Sequence, residues 1–177
     1  MRTALLLTAG LLIGAPAFAQ QSLGEKSGVN SLAGIAPTTQ DFVQEAAIGG
    51  LFEVQSSQLA EQRAQDPSVK AFAERMVADH TKANDQLKQV VSAGNMNVQI
   101  PATLDSTHQT KLDKLQSLNG NGFTQRYDND QVTAHEETVS LFQRYAKGGD
   151  NPALKQFAQQ TLPTLQDHLA MAKKLPE

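Results

Sequence analysis

An internal duplication restricts the folds that this chain of 177 residues can adopt. The segment 67–73 (PSVKAFA) recurs as 152–158 (PALKQFA), and an Asp-His pair follows each copy, at 79–80 and at 167–168. Apolar residues in both copies are spaced three and four apart, which is typical of a helix with one buried face. Two related helical hairpins that pack face to face form a four-helix bundle, so the duplication predicts this architecture.

Start and stop signals place the ends of the four long helices. Thr38 and Asp41 have the spacing of a capping box, and Asp-Pro at 66–67 and Asn-Pro at 151–152 are a cap followed by a first-turn proline. Glycines stand where helices are expected to end. The predicted long helices cover about 38–65, 67–93, 123–147 and 152 onwards.

The connection between the two hairpins is long enough for a further short helix. Leu112, Leu115 and Leu118 recur at helical spacing there, and we expect Gly120 and Gly122 to end this helix. The predicted fold class is therefore all-α: an antiparallel four-helix bundle made of two duplicated hairpins, with a short extra helix in the crossover.

The N-terminus has the organisation of a cleavable signal peptide. Arg2 precedes an apolar run over 4–13, and Ala17 and Ala19 form a small-x-small cleavage site, so residues 1–19 are predicted to be removed. The run is shorter than the roughly 20 apolar residues that span a bilayer, and the mature chain is predicted to have no transmembrane segment. We expect export, most simply to the periplasm, with outer-membrane association as an alternative.

The next segment, 20–37, is poor in apolar residues and is predicted to be a flexible leader before the bundle domain, 38–177. The chain has no cysteine, which excludes disulfides, thiol catalysis and thiolate metal sites. Its net charge is −3 and its basic residues are not clustered, so nucleic acid is not an expected partner. The sequence does not identify a protein partner in the cell envelope.

One polar residue on each long helix falls on the predicted inner stripe. In a bundle, side chains on facing helices meet near the centre when their heights match. Three imidazoles and one carboxylate can bind a zinc, iron or copper ion. The candidate metal ligands are Glu53, His80, His135 and His168.

The pattern predicts one ion and not two. Di-iron bundle proteins use Glu-x-x-His on two helices, whereas Val77 and Leu165 occupy the positions three residues before the histidines of the duplicated pairs. The aspartates of these pairs are turned about 100° away from the histidines. Two other readings stay open: a structural polar network with Glu53 and Gln131 as partners of the histidines, or a site for a different ligand.

The motifs also resemble a known family. Glu53-Val54 on the first helix, Met76-Val77-x-Asp79-His80 on the second, the helix of His135, and Leu162-Pro163 before Asp167-His168-Leu169 are similar to those of a bacterial ferritin-like family, domain of unknown function 4142. The similarity extends over about 40–175. It implies a ferritin-like bundle and export, since members are often called predicted outer membrane proteins, and it implies no established activity.

Two functional hypotheses follow from these observations. The first is an exported ferritin-like protein that binds one transition metal ion in the bundle core. The alternative is a non-catalytic envelope scaffold whose inner histidines form a structural network. An oxidase or catalase-like enzyme is disfavoured, because it would need a redox-active metal with open coordination positions and the bridging carboxylates of a di-iron site are absent.

Overall fold

The computed structural model describes residues 22–26 and 28–176. The predicted signal peptide, 1–19, lies outside the described residues. The part of the chain that is described contains helices and no strands. The helices are α1 (Leu23–Lys26), α2 (Val29–Leu32), α3 (Thr39–Arg63), α4 (Pro67–Ala93), α5 (Ser106–Gln116), α6 (Gly120–Gly148) and α7 (Pro152–Ala172).

The four long helices α3, α4, α6 and α7 form the predicted bundle. The closest packing is between α3 and α4 and between α6 and α7, so each hairpin is a structural unit. The two hairpins meet through α3 with α6 and through α4 with α7, while α5, in the crossover, packs on α3. The prediction of an all-α bundle with a short crossover helix is confirmed.

The predicted caps explain where the helices start. The Thr38 side chain accepts a hydrogen bond from the Asp41 backbone N–H, and Asp66 and Asn151 cap α4 and α7 in the same way ahead of their first-turn prolines. The boundary between α5 and α6 was predicted wrongly. Gly120 and Gly122 belong to the first turn of α6 and do not end α5. Gly120 has a φ of 55°, a conformation that favours glycine, and this conformation lets the chain turn directly into α6.

Two large hydrophobic clusters lie towards the two ends of the bundle, and a third, smaller one contains Phe52, Leu112 and Ala134. The first core cluster includes Phe42, Leu87, Phe142, Tyr145 and Phe157. The second core cluster includes Val69, Phe72, Met76, Phe123 and Tyr127. The buried histidines of α4, α6 and α7 lie between the two large clusters, together with Gln131 of α6, so the fold places a polar layer in the middle of an apolar core.

Part of the predicted flexible leader packs against the bundle. Glu25 and Arg144 form an almost fully buried ion pair at 2.8 Å, and the Ser22 backbone N–H donates to an Asp41 carboxylate oxygen at 2.8 Å. These two contacts attach part of the segment to the bundle, although its overall composition is polar. The composition of residues 20–37 does not reveal that Arg144, more than one hundred positions away, supplies the partner.

The same region predicts a pH-dependent contribution to stability from Glu45. Burial, together with Glu25, Asp41 and Glu137, raises its pKa to about 8 against the opposing charge of Arg144. The folded chain therefore holds the proton more tightly than the unfolded chain, where the value is 4.5. The stability that this protonation contributes is present below pH 4.5 and is lost as the pH rises towards 8.

We expect Glu45→Gln to remove this loss, because an amide does not ionise. At pH 8 the variant should be more stable than the parent by about 1 to 3 kcal/mol, allowing for partial exposure of the side chain. At pH 4.5 the two should unfold alike. Urea unfolding at a series of pH values measures the difference, with Glu74→Gln on the exposed face of α4 as the control. A difference that is constant with pH would contradict the prediction.

Candidate metal centre

Three histidines from three helices meet at one level of the bundle. The ring centroids of His80 on α4, His135 on α6 and His168 on α7 are separated by 5.5, 5.4 and 5.5 Å, which is nearly an equilateral triangle. One ligand nitrogen from each ring lies within 4.8 Å of the other two. All three side chains are buried, with at most 4% of any residue exposed. The predicted convergence of the inner histidines is therefore present in the fold.

Hydrogen bonds on the outer side assign the tautomers of two of the rings. His135 Nδ1 donates to the Gln131 backbone carbonyl at 2.9 Å, and His168 Nε2 donates to Asp79 Oδ2 at 2.9 Å. Each neutral ring then carries its lone pair on the other nitrogen. His135 Nε2 lies 3.4 Å from His80 Nε2, whereas His168 Nδ1 is buried and has no hydrogen-bond partner.

Burial keeps the three rings uncharged near neutral pH. It lowers the pKa of His80 well below 6.5, with His135 and His168 acting in the same direction. Burial lowers the pKa of His135 to about 4, although its bond to the Gln131 carbonyl opposes the shift. Burial also lowers the pKa of His168, against the opposing effect of Asp79. Neutral imidazoles are the form that binds a metal ion.

The structure identifies Asp79 as a partner of the centre. This residue precedes His80 in sequence, but its carboxylate faces His168 across the α4–α7 interface. Burial opposes its ionisation, but the hydrogen bonds from His168 and Arg75 outweigh that effect and lower its pKa. A carboxylate that accepts the outer N–H of a histidine fixes the ring and increases its basicity, as in many metal sites.

Glu53 lies beside the three histidines and outside the group formed by their ligand atoms. Its Oε1 is 3.8 Å from His135 Nδ1, the nitrogen that already donates to Gln131. Burial raises the pKa of Glu53 to about 8; the Gln131 amide opposes the rise but donates its hydrogen bond to Ser56 Oγ at 3.3 Å. Both carboxyl oxygens of Glu53 are buried without a hydrogen bond. Of the four predicted ligands, the fold brings the three histidines together and places Glu53 behind one of them.

The remaining histidine of the chain has a different role. His108 belongs to the first turn of α5, where its ring contacts Asp105 at 2.8 Å and packs against Phe52. Asp167, the aspartate of the second Asp-His pair, is exposed. The two Asp-His pairs therefore differ in function, since Asp79 contacts a buried histidine ring and Asp167 does not.

The spacing of the nitrogens fits a small metal ion. Tetrahedral zinc with Zn–N bonds near 2.0–2.1 Å holds its ligand nitrogens about 3.4 Å apart. His80 Nε2 and His135 Nε2 are separated by 3.4 Å. One nitrogen of each of the three rings lies within 4.8 Å of the other two. The arrangement can therefore provide three neutral nitrogen ligands with protein acceptors behind two of them.

We expect Asp79→Asn to weaken metal binding by about 10- to 100-fold, the usual effect of removing such an outer partner. The amide can still contact the ring but carries no charge, so the basicity of His168 falls. Competition titration with a chelator measures the change. Asp167→Asn is the matched control, because it alters the aspartate of the duplicated pair at an exposed position. Equal losses in both variants would contradict a specific role for Asp79.

Fold and site together define an all-α four-helix-bundle protein with a buried three-histidine centre. The chain belongs to the family described as domain of unknown function (DUF4142), whose family model matches residues 24–175. This match confirms the resemblance noted in the sequence. No curated protein matches the chain.

A solved structure supports the fold. The crystal structure of a DUF305 fragment from Deinococcus radiodurans is similar with a TM-score of 0.66 and 13% identity, covering 78% of this chain and 96% of that one. At this identity the similarity concerns the architecture alone. Within the described residues, no helix combines the length and the apolar character needed to cross a membrane.

Proposed function

We propose that this protein binds one first-row transition metal ion, of the group zinc, iron and copper, through His80, His135 and His168. The observation that carries the proposal is the convergence of the buried nitrogens. Two rings donate their N–H to protein acceptors and so keep a lone pair on the other nitrogen, and one nitrogen of each of the three rings lies within 4.8 Å of the other two. Neutral imidazole nitrogen suits each of these metals.

The unpartnered nitrogen of His168 favours metal binding over a purely structural network. A network could satisfy the two other rings, since His80 can donate to His135 across the 3.4 Å separation. It would leave His168 Nδ1 buried without a partner, which costs about 1 to 3 kcal/mol. A metal ion at the centre would satisfy all three rings at once.

The composition of the site favours a single ion. The group of ligand atoms consists of the three histidines, and bridging carboxylates are what hold two iron ions together in related bundles. Leu165 and Val77, which stand where the Glu-x-x-His motif would put glutamates, supply no ligand atom. The proposal is therefore a mononuclear centre, and di-iron oxidase chemistry is not part of it.

Metal analysis tests this function. Metal-free protein should be dialysed separately against Zn²⁺, Cu²⁺ and Fe²⁺, freed of excess ion, and its metal content measured by mass spectrometry. We expect close to one ion per chain for at least one of these metals, and a matching rise in melting temperature. Metal content near zero for all three, with unchanged melting temperatures, would overturn the proposal.

We also propose that the chain is exported and that it functions in the periplasm. The support is the charge, apolar run and small-x-small site of residues 1–19. In a Gram-negative host, the protein recovered from the periplasmic fraction should begin at Gln20. Recovery of the uncleaved chain from the cytoplasm would contradict export.

A non-catalytic scaffold is the second candidate, and the N-terminal segment favours it. Four large apolar side chains there are between 51% and 91% exposed: Leu23, Val29, Leu32 and Ile35. Such residues in one short stretch are typical of a contact surface. This candidate predicts no metal uptake, and loss of cosedimentation with the cell envelope when Leu23 and Leu32 are replaced by serine.

A further inference from the structure

Three histidines leave a bound ion with a vacant coordination position. Tetrahedral ions need a fourth donor, and Glu53 lies on the Nδ1 side of His135, away from the nitrogen that faces His80. We infer, building on the metal binding proposed above, that this position takes a small exogenous ligand. Water occupies it at rest, and small anions replace the water after passing through the groove between α4 and α7.

A small cavity adjoins the histidine layer on one side. It has a volume of about 20 Å³ and is lined by residues of all four long helices, including His80. Asn84 lies four residues after His80, and Thr138 and Leu165 lie three residues from the other two histidines. One helical turn is about 5.4 Å long, so the cavity extends from His80 to about one turn beyond the ring layer. Its volume accommodates one water molecule.

The wall of the cavity is mostly apolar and includes three polar side chains that can contact a bound ligand. Asn84, Thr138 and Thr161 contribute an amide and two hydroxyl groups, while Leu87 and Phe142 are among the apolar residues. Polar groups of this kind can hydrogen bond to a metal-bound water or to the far end of a bound anion. The apolar part limits the number of water molecules that can enter. The lining therefore favours a ligand of two or three atoms over a larger substrate.

Close approach of two helices keeps Asn84 in this position. The Asn84 side chain packs directly on Gly50 of α3, where an added Cβ would overlap its amide. Glycine at this position thus allows the amide to occupy the space between α3 and α4. The packing of Asn84 on Gly50 therefore fixes the position of the amide at the cavity.

A surface groove leads to the cavity. The groove has a volume of about 520 Å³, lies between α4 and α7, and includes Asp79, the acceptor for His168. Ala83, Phe157 and Thr161 line both the groove and the cavity. These three side chains therefore lie between the groove and the cavity, and we call them the barrier. Since Ala83 is small and Thr161 is only half-buried, rotation of a few side chains would connect the two spaces.

Cobalt substitution and azide titration test the vacant position. Co²⁺ reports its coordination number through its visible absorption, and azide is a small anion that binds metals. We expect metal-free protein to take up about one Co²⁺ per chain, as proposed for the native ion. Azide should then change the visible spectrum saturably, whereas perchlorate, which coordinates metal ions weakly, should not do so at the same ionic strength.

Two substitutions in the barrier test the route. Ala83→Leu should slow azide association by about tenfold or more, because the added bulk closes the passage. Thr161→Ser should accelerate association, because it removes a methyl group from the barrier and keeps the hydroxyl. This variant also keeps the route testable if Ala83→Leu fails to fold. Gln89→Leu, which introduces the same residue into α4 at a groove position away from the cavity, is the control. Cobalt affinity should stay within about threefold in all three variants.

The outcomes separate the two proposals. Cobalt uptake with an azide response that the barrier variants alter in opposite directions supports both. Cobalt uptake without any azide response overturns the vacant position and leaves metal binding intact. An azide response with the same association rate in every variant overturns the route between α4 and α7. Failure to bind cobalt or any of the other metals overturns both proposals.

Discussion

His135→Ala should lower the affinity for the metal ion by about 100- to 1,000-fold. Structural zinc sites with about four ligands bind with about 10 to 16 kcal/mol, or about 2.5 to 4 kcal/mol for each ligand. We chose His135 because its contacts fit a ligand best. Its Nδ1–H donates to the Gln131 carbonyl, and its Nε2 lies 3.4 Å from His80 Nε2. Zn²⁺ is the probe, and competition with a chelator of known affinity is the measurement.

The same loss should appear in the unfolding free energy. At a Zn²⁺ concentration about 1,000 times the parent dissociation constant, binding stabilises the parent by about 4 kcal/mol. A variant that binds 1,000-fold more weakly gains only about 0.4 kcal/mol under these conditions. The quantity compared is the increase in unfolding free energy when Zn²⁺ is added. Any effect of His135→Ala on the stability of the metal-free protein therefore cancels.

Two further variants define the centre. His108→Ala removes the histidine that contacts Asp105 and should keep the full gain in stability. Glu53→Gln retains the size of the side chain, and we expect a loss of affinity of less than about tenfold, because its carboxyl lies behind His135. A thousandfold loss in Glu53→Gln would restore the four-ligand centre expected from the sequence. An unchanged gain in His135→Ala would overturn the three-histidine centre.

Much of the fold follows from local signals in the sequence. The helix starts at α3, α4 and α7 rest on side chains that cap within three residues, and such contacts are readable without tertiary information. The turn between α5 and α6 is different. There glycines that usually end a helix begin one, because the preceding residue, Asn119, already leaves the helical conformation. Helix α3 is also buried beyond one stripe, since α4, α5 and α6 all pack on it.

The site could be predicted only in part, for a geometric reason. Helical periodicity states which residues face inwards, and it placed His80, His135 and His168 correctly on inner faces. It does not state which neighbouring helix a side chain on the edge of that face will meet. Asp79 is turned away from His80 on its own helix and still reaches His168, because α7 packs along that edge of α4.

Glu53 also shows that helical periodicity does not determine which inner side chains reach the metal centre. Its position on the inner face of α3 is as the periodicity predicts, and it is 1% exposed. Whether an inner side chain reaches the centre depends on the direction in which its Cβ points and on the height of its helix. Neither quantity is encoded in spacing along one helix. The repeated Asp-His pair was the one signal in the sequence that could have pointed to Asp79.

Phe42→Ala should destabilise the bundle by about 3 to 5 kcal/mol, the usual cost of deleting a buried aromatic ring. Phe42 is fully buried in the first core cluster, stacks on Tyr145 at a centroid distance of 4.0 Å, and meets Phe142 edge-on at 5.1 Å. Truncation removes these contacts and leaves a cavity between helices of both hairpins. Chemical denaturation measures the loss, and Leu32→Ala, at a position that is 91% exposed, should change stability by less than about 0.5 kcal/mol.

The metal affinity of Phe42→Ala should nevertheless stay close to that of the parent. Phe42 precedes Glu53 by eleven positions on α3, which is about 16 Å along a helix axis, so the histidine layer lies well outside the cavity. Under conditions where the variant is folded, chelator competition should give a dissociation constant within about threefold of the parent value. A large loss of affinity would mean that the first core cluster and the histidine layer behave as one cooperative unit. Unchanged affinity with lowered stability means that the core supports the fold, while the three rings and Asp79 set metal binding.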